Sequence, residues 1–190
     1  MGKIVLSQNV TLDGVVEDPT GEGGFRHGGW FENVIAAERG PWAAVEYAEA
    51  QAAAALLMGR GTDEYFGSRW NDAEGDWAAR LRALPKYVVS STLAETVWHN
   101  GTVIKGDVAE EVKRLKDRID GEIVVYASRP LVHTLFENDL VDEIRLFVFP
   151  VIAGTGERIF DSLSDKVTLR RTRVEAVGES LVHQTYEVVR

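Results

Sequence analysis

Short runs of β-branched and other apolar residues alternate along this chain with segments of helical period, and this alternation constrains the fold more than any other feature. KIVLSQNV (3–10), ALLM (55–58), KYVVS (86–90), TVIK (102–105), EIVVY (122–126) and EIRLFVFPVI (143–152) read as strands. PWAAVEYAEAQAAA (41–54), DWAARLRAL (76–84), VAEEVKRLKDRID (108–120) and LVHTLFEND (131–139) read as helices, with a shorter helical piece near 62–66. Pro41 is expected near the start of its helix, where a missing N–H is harmless. Strands alternating with helices predict an α/β sheet flanked by helices. The tail VTLRRTRVEAVGESLVHQTYEVVR alternates apolar and polar residues on either side of Gly178-Glu179-Ser180, the pattern of an antiparallel hairpin. At 190 residues, a single domain over 1–190 is expected.

Ligands of such sheets sit beyond the carboxyl ends of the strands, and three of those ends share a chemistry. Gly59-Arg60-Gly61-Thr62 follows ALLM, Ser90-Ser91-Thr92 follows KYVV, and Ala127-Ser128-Arg129-Pro130 follows EIVVY. Glycine lets a phosphate approach the backbone, arginine binds it bidentately, and a helix start offers N–H groups and a positive dipole end. Together the three turns read as one composite anion site. Taken singly, each is also an ordinary βα junction. Ser128 is a natural N-cap, Pro130 fits a first helical turn, and the Ser90 and Ser91 hydroxyls could bond only their local backbone. Gly154-Thr155-Gly156 is a fourth such turn, or merely a bend.

The loop TLDGVVEDPTGEGGFRHGGW is long and rich in glycine. Loops of that kind are usually functional or disordered. Arg26, His27 and Trp30 in it are either a lid carrying a cation, a titratable group and a stacking ring, or a surface loop with one aromatic anchor. Asp13 is a candidate for proton handling, or simply the first residue of an Asp-Gly turn.

The chain has no cysteine, so disulfides, cysteine–zinc sites and thiol catalysis are excluded. No His and carboxylate spacing suggests a metal, and no GxSxG element is present. The net charge is −9 without a basic stripe, which argues against nucleic acid as a partner. The start MGKIVLSQNV enters a strand directly, so neither signal peptide nor membrane span is expected, and a cytoplasmic location follows.

The order of KIVLSQNVTLDGVV, LLMGRGTDEYF, YVVSST and GEIVVYASRPLVHTLFENDLVDEIRLFVFPVIAGTGERIF resembles the dihydrofolate reductase-like superfamily, and within it the RibD C-terminal branch of bifunctional deaminase-reductases. The resemblance implies a mixed sheet with a C-terminal antiparallel hairpin, usually a homodimer, and NADPH as cofactor. It implies hydride transfer to a small heterocyclic or ribosylamino substrate, as in 5-amino-6-(5-phosphoribosylamino)uracil or dihydrofolate reduction. By position, Gly59, Arg60 and Thr62 would meet cofactor phosphates, Ser90 and Ser91 the adenosine 2′-phosphate, and Ala127, Ser128 and Arg129 the pyrophosphate. Ser7 and Asn9, in the segment from Ser7 to Val15, would line the nicotinamide and substrate side, and Arg26 and Trp30 join the substrate side on the lid reading of their loop. Relatives carry a glycine pair or Gly-Ser where this chain has Ala127-Ser128. The zinc-binding cysteines of a deaminase domain are absent, and Glu46 and Glu49 lie in the helix that carries the pteridine-gripping carboxylate of dihydrofolate reductases. A non-catalytic nucleotide-binding or regulatory module with the same fold is the rival expectation.

Overall fold

In the computed structural model, which describes residues 1–161 and 163–190, β-branched and leucine-rich runs form eight strands. They are β1 (Lys3–Thr11), β2 (Ala53–Gly59), β3 (Lys86–Val89), β4 (Gly101–Ile104), β5 (Glu122–Tyr126), β6 (Glu143–Phe149), β7 (Leu169–Val177) and β8 (Leu181–Val188). Five helices join them: α1 (Trp30–Ala52), α2 (Arg60–Trp70), α3 (Asp76–Ala83), α4 (Val108–Arg118) and α5 (Arg129–Glu137). The strands form one mixed sheet in the order β4-β3-β2-β5-β1-β6-β8-β7. The expected α/β class, flanking helices and closing hairpin are all present.

The chain clusters into two compact units. The first holds residues 1–6 and 47–142. In it β2 runs parallel to both β3 and β5, and β3 parallel to β4. Its core gathers Val5, Leu56, Met58, Leu81, Leu84, Val88, Trp98 and Val124. Asp142 closes the start of β1 by accepting the Ile4 N–H at 2.8 Å and returning its own N–H to the Ile4 carbonyl at 3.0 Å. Lys116, nearly buried, neutralises that carboxylate at 2.5 Å.

The second unit holds residues 7–46 and 143–190. Its antiparallel strands set Phe147 opposite His183 and Leu181 opposite Val177. That face packs on Trp30, Phe31 and Ile35 of α1. Adjacent rows point to the other face: Leu146 with Gln184 and Val174, and Val148 with Val182 and Ala176. Val174 is half exposed there. The β7–β8 turn is held by Glu38 of α1, which accepts the Glu179 N–H and the Ser180 hydroxyl.

Helix α1 departs from the sequence reading. It begins eleven residues earlier than expected and ends at Ala52, so Pro41 lies inside it. A proline in a helix interior removes one backbone bond and crowds the turn before it. Pro41 is exposed, as are Ala36 and Ala37 in the preceding turn. Water can therefore serve the carbonyl left without its partner. Residues Phe31, Ile35, Glu38, Glu46, Glu49 and Ala50 are buried at helical spacing, so packing of one continuous stripe carries the helix through the proline.

Candidate functional site

The sheet order sets β3, β2 and β5 side by side and parallel, so their three small-residue turns emerge at the same end of neighbouring strands. At the end of β2, Gly59 is the N-cap of α2 with extended backbone, and no side chain caps the helix. The first N–H groups of any helix lack intrahelical partners, so Arg60, Gly61 and Thr62 present theirs at this point. A Cβ built on Gly61 would meet nothing within 4 Å. Arg60 extends over the surface with a loose contact to Glu64 at 3.8 Å, both side chains being more than half exposed.

At the end of β5 the backbone turns through two consecutive left-handed residues, Ala127 at φ 47° and Ser128 at φ 58°. Neither is glycine, and left-handed backbone costs an L-residue about 1–2 kcal/mol. Ser128 occupies the N-cap position of α5, as the sequence suggests, but its side chain does not cap that helix. The hydroxyl reaches across to the β2 turn instead. It accepts the Gly59 N–H at 3.0 Å and donates to the Thr62 hydroxyl at 2.9 Å. The contrast is α4, whose N-cap Asp107 accepts the Glu110 N–H in the ordinary way.

At the end of β3, Ser90 accepts the N–H groups of Thr92 at 3.2 Å and Leu93 at 3.1 Å. Its oxygen is thus engaged by local backbone, while Ser91 is exposed. A cavity of about 600 Å³ lies beside β4, lined by Thr96, Trp98, His99, Gly101, Val103 and Lys105 among others, and shares no lining residue with the three turns.

In the second unit Asp13 organises two loops. Its carboxylate accepts the Thr11 hydroxyl at 2.7 Å and the N–H groups of Ala153 at 3.1 Å and Gly154 at 2.9 Å. Arg158 bonds its carbonyl at 3.0 Å. These bonds, the Thr11 hydroxyl first, hold the Asp13 pKa down at about 2, against a smaller opposing effect of burial. The turn after β6 therefore gives the Ala153 and Gly154 N–H groups to a carboxylate of the chain itself. Gly156 is required for space as well as for its φ of 113°, since a Cβ there would press on Phe25 and Val15.

The glycine-rich loop is bound to itself. The Asp18 carboxylate accepts Gly23 N–H at 2.8 Å and Phe25 N–H at 3.0 Å, and its carbonyl accepts from Gly21 and Gly29. Trp30, which the sequence leaves as either a stacking ring or an aromatic anchor, lies in the core. It is 2 % exposed, sits edge-on to Phe149 and donates its indole N–H to the Glu17 carbonyl at 2.9 Å. An aromatic-anchor reading fits this geometry, because a buried ring offers no open face. Arg26 is exposed. Asn9 accepts the Trp42 indole N–H at 3.1 Å, and Ser7 is buried within β1. Glu46 and Glu49 of α1 are both buried, at 7 % and 8 % exposure.

Sequence reasoning did not anticipate a third feature of the first unit. Asp63, on α2 just beyond the Gly-Arg-Gly-Thr turn, is fully buried and accepts the N–H groups of Val97 and Trp98. Lys86, also fully buried, lies over the Trp98 ring at 4.8 Å and donates to the carbonyls of Leu84 and Arg82. An Asp on a helix and a Lys opening a strand look like solvated charges in sequence. For Asp63 the bonding partners lie 34 and 35 residues away, and for Lys86 the Trp98 ring covers the amine.

Among known proteins, YyaP of Bacillus subtilis (strain 168) is 25 % identical over 189 residues, covering 97 % of this chain and 94 % of the relative. A putative riboflavin biosynthesis protein from Shewanella sp. PV-4 superposes with a TM-score of 0.72 at 21 % identity, covering 99 % of both chains. Enterococcus faecalis dihydrofolate reductase superposes at 0.58 with 14 % identity over 99 % of this chain and 97 % of that one. The diaminohydroxyphosphoribosylaminopyrimidine deaminase/5-amino-6-(5-phosphoribosylamino)uracil reductase of Thermotoga maritima superposes at 0.61 with 15 % identity, and this chain spans 56 % of its length. Those likenesses establish the fold. The RibD C-terminal domain model matches residues 2–183, nearly the whole chain, and the chain therefore belongs to the RibD C-terminal domain family.

Proposed function

We propose that the protein is an NADPH-dependent reductase acting on a small heterocyclic or ribosylamino substrate. The observation that carries this reading is the convergence of three anion-type turns at the carboxyl ends of β3, β2 and β5, in a chain of this family. An uncapped helix start at Arg60, open space at Gly61 and the paired hydroxyls of Ser128 and Thr62 fit a cofactor phosphate. NADPH, when bound, supplies the hydride. The chain's own residues bind and orient it: Gly59, Arg60 and Thr62 with Ala127, Ser128 and Arg129 at the phosphates, and Ser90 and Ser91 toward the adenosine end. Ser7, Asn9 and Arg26 are assigned to the substrate side.

Asp13 takes a different place in this reading from a proton donor. With a pKa of about 2 it stays ionised across the neutral range, and its oxygens are engaged by Thr11, Ala153 and Gly154. We assign it to anchoring the loops at residues 11–15 and 153–158. A second copy of the chain is proposed as partner. The partly exposed apolar rows through Leu146, Val148, Val174 and Val182 support that, and light scattering at twice 21.0 kDa is the expected result.

The cofactor reading is tested by titrating NADPH and NADH against Arg60 variants. Hydrogen bonds to charged groups contribute roughly 1.5–3 kcal/mol, and the exposure of Arg60 puts it at the low end. Arg60→Ala is expected to weaken NADPH about tenfold, since 1.4 kcal/mol is a factor of ten, with NADH changed less. Arg60→Lys restores only part, because lysine lacks the bidentate fork. Failure of the wild-type protein to gain thermal stability in millimolar NADPH would remove the reading in favour of a module that binds another ligand.

A further inference from the structure

The bond between the turns of β2 and β5 runs in one direction. A backbone N–H can only donate, so Ser128 Oγ is the acceptor of the 3.0 Å bond from Gly59. The one proton of the Ser128 hydroxyl then goes to Thr62 Oγ1. Thr62 receives that proton, and its own hydroxyl proton has no acceptor among the described residues. Both side chains are more than nine-tenths buried, Thr62 at 8 % exposure and Ser128 at 9 %. Linked hydrogen bonds of one direction polarise each other, and this chain of three groups terminates on a donor.

Two nearby donors are missing. The Gly59 N–H is spent on Ser128. Pro130, in the first turn of α5, has no N–H to give. The Thr62 hydroxyl lies at the uncapped start of α2.

Resting on the cofactor reading above, we propose that Ser128 is a positioning residue. Its hydroxyl occupies the Gly59 N–H and presets Thr62 as a donor toward a pyrophosphate oxygen, a group that only accepts at neutral pH. Ser128 thus acts on the ligand through Thr62, and the site favours an ionised phosphate over a hydroxyl-bearing group at that point.

The test is a double-mutant cycle read as NADPH dissociation constants from nicotinamide fluorescence, with Ser128→Gly, Thr62→Val and the pair. Glycine suits the left-handed position, so that variant folds, and its melting temperature without ligand is measured alongside. Each single substitution is expected to weaken NADPH about tenfold, and the double to be no weaker than Thr62→Val alone, as residues in one network are non-additive. Thr62→Ser, which keeps the hydroxyl, is expected to remain within about twofold of wild type. Additive losses would overturn the proposal, since Ser128 would then act independently of Thr62. Unchanged binding in Ser128→Gly would overturn it too. Tighter binding in that variant would mean that the hydroxyl competes with the ligand for the Gly59 N–H, again against the proposal. If the wild-type protein binds no NADPH, the cofactor reading falls first and the positioning role with it, an outcome visible before any variant is made.

Discussion

Asp63 holds Trp98 by its backbone: the buried carboxylate accepts the Trp98 N–H at 3.0 Å and the neighbouring Val97 N–H at 2.7 Å. Gly67, one turn further along α2, makes the approach possible. A Cβ built there would lie 2.8 Å from the Trp98 nitrogen and 2.8 Å from the Val97 side chain. Helix propensity alone favours Gly67→Ala by about 1 kcal/mol. Forcing a methyl into packed backbone costs typically 1–3 kcal/mol, so the expected net effect is destabilising. Asp63→Ala leaves two N–H groups without their acceptor and is expected to cost about 3 kcal/mol. Urea midpoints check both, and a Gly67→Ala protein as stable as wild type would show that the loop at 96–98 yields.

Lys86 gives a distinct pH signature. Burial pushes its pKa down to about 8, while Asp63 pulls it the other way. An unfolded lysine titrates near 10.4. Between those values the unfolded chain holds the proton and the folded chain does not, so this group makes stability rise with pH from about 8 to about 10. Below that window the lysine is charged in both states and contributes no slope. The difference in stability between wild type and Lys86→Met is expected to change across the same window, by up to about 1.4 kcal/mol per pH unit. A flat difference in chemical denaturation from pH 7 to 10 would mean that Lys86 keeps its proton on folding.

For Asp13 the sign is reversed. Its folded pKa of about 2 lies below the unfolded value near 3.9. The stabilisation is complete above pH 4 and is lost as pH falls through about 2. At pH 7, Asp13→Ala is expected to cost about 2 kcal/mol, the scale of hydrogen bonds to a charged group. Wild type and variant should converge near pH 2 in acid-unfolding curves, with divergence persisting there counting against the anchor role.

Ala127 carries strain that a single atom group removes. Its φ of 47° is costly for alanine and free for glycine. Glycine also raises the entropy of the unfolded chain, which takes back part of the gain. Ala127→Gly is expected to stabilise by about 0.5–1 kcal/mol, or roughly 1–4 °C at this chain length. Calorimetry without ligand measures it. A fall in melting temperature would show that the turn is unstrained as it stands.

Local pattern carried the strand and helix inventory. EIVVY at 122–126 and the hairpin around residues 178–180 are where alternation puts them, because side-chain period and turn chemistry are properties of neighbouring residues. The turns at Gly59 and Ser128 were legible for the same reason. What those turns do with their hydroxyls was not. Ser128 reads as an N-cap, yet its partners are Gly59 and Thr62, 69 and 66 residues away. Only the pairing of β2 with β5 brings them within reach, and two bonds across the strands outcompete one local cap. The same holds for Pro41, which local rule puts in the first turn of a helix and which lies inside one here because the buried stripe of α1 extends to both sides of it. Trp30 is core because Phe149, far along the chain, folds onto it. Asp63 and Lys86 bear charge, which local preference places in water. Burial of Asp63 became tolerable only once the Val97 and Trp98 N–H groups, 34 and 35 residues away, reached its carboxylate, while Lys86 is satisfied by the Leu84 and Arg82 carbonyls close by in the chain.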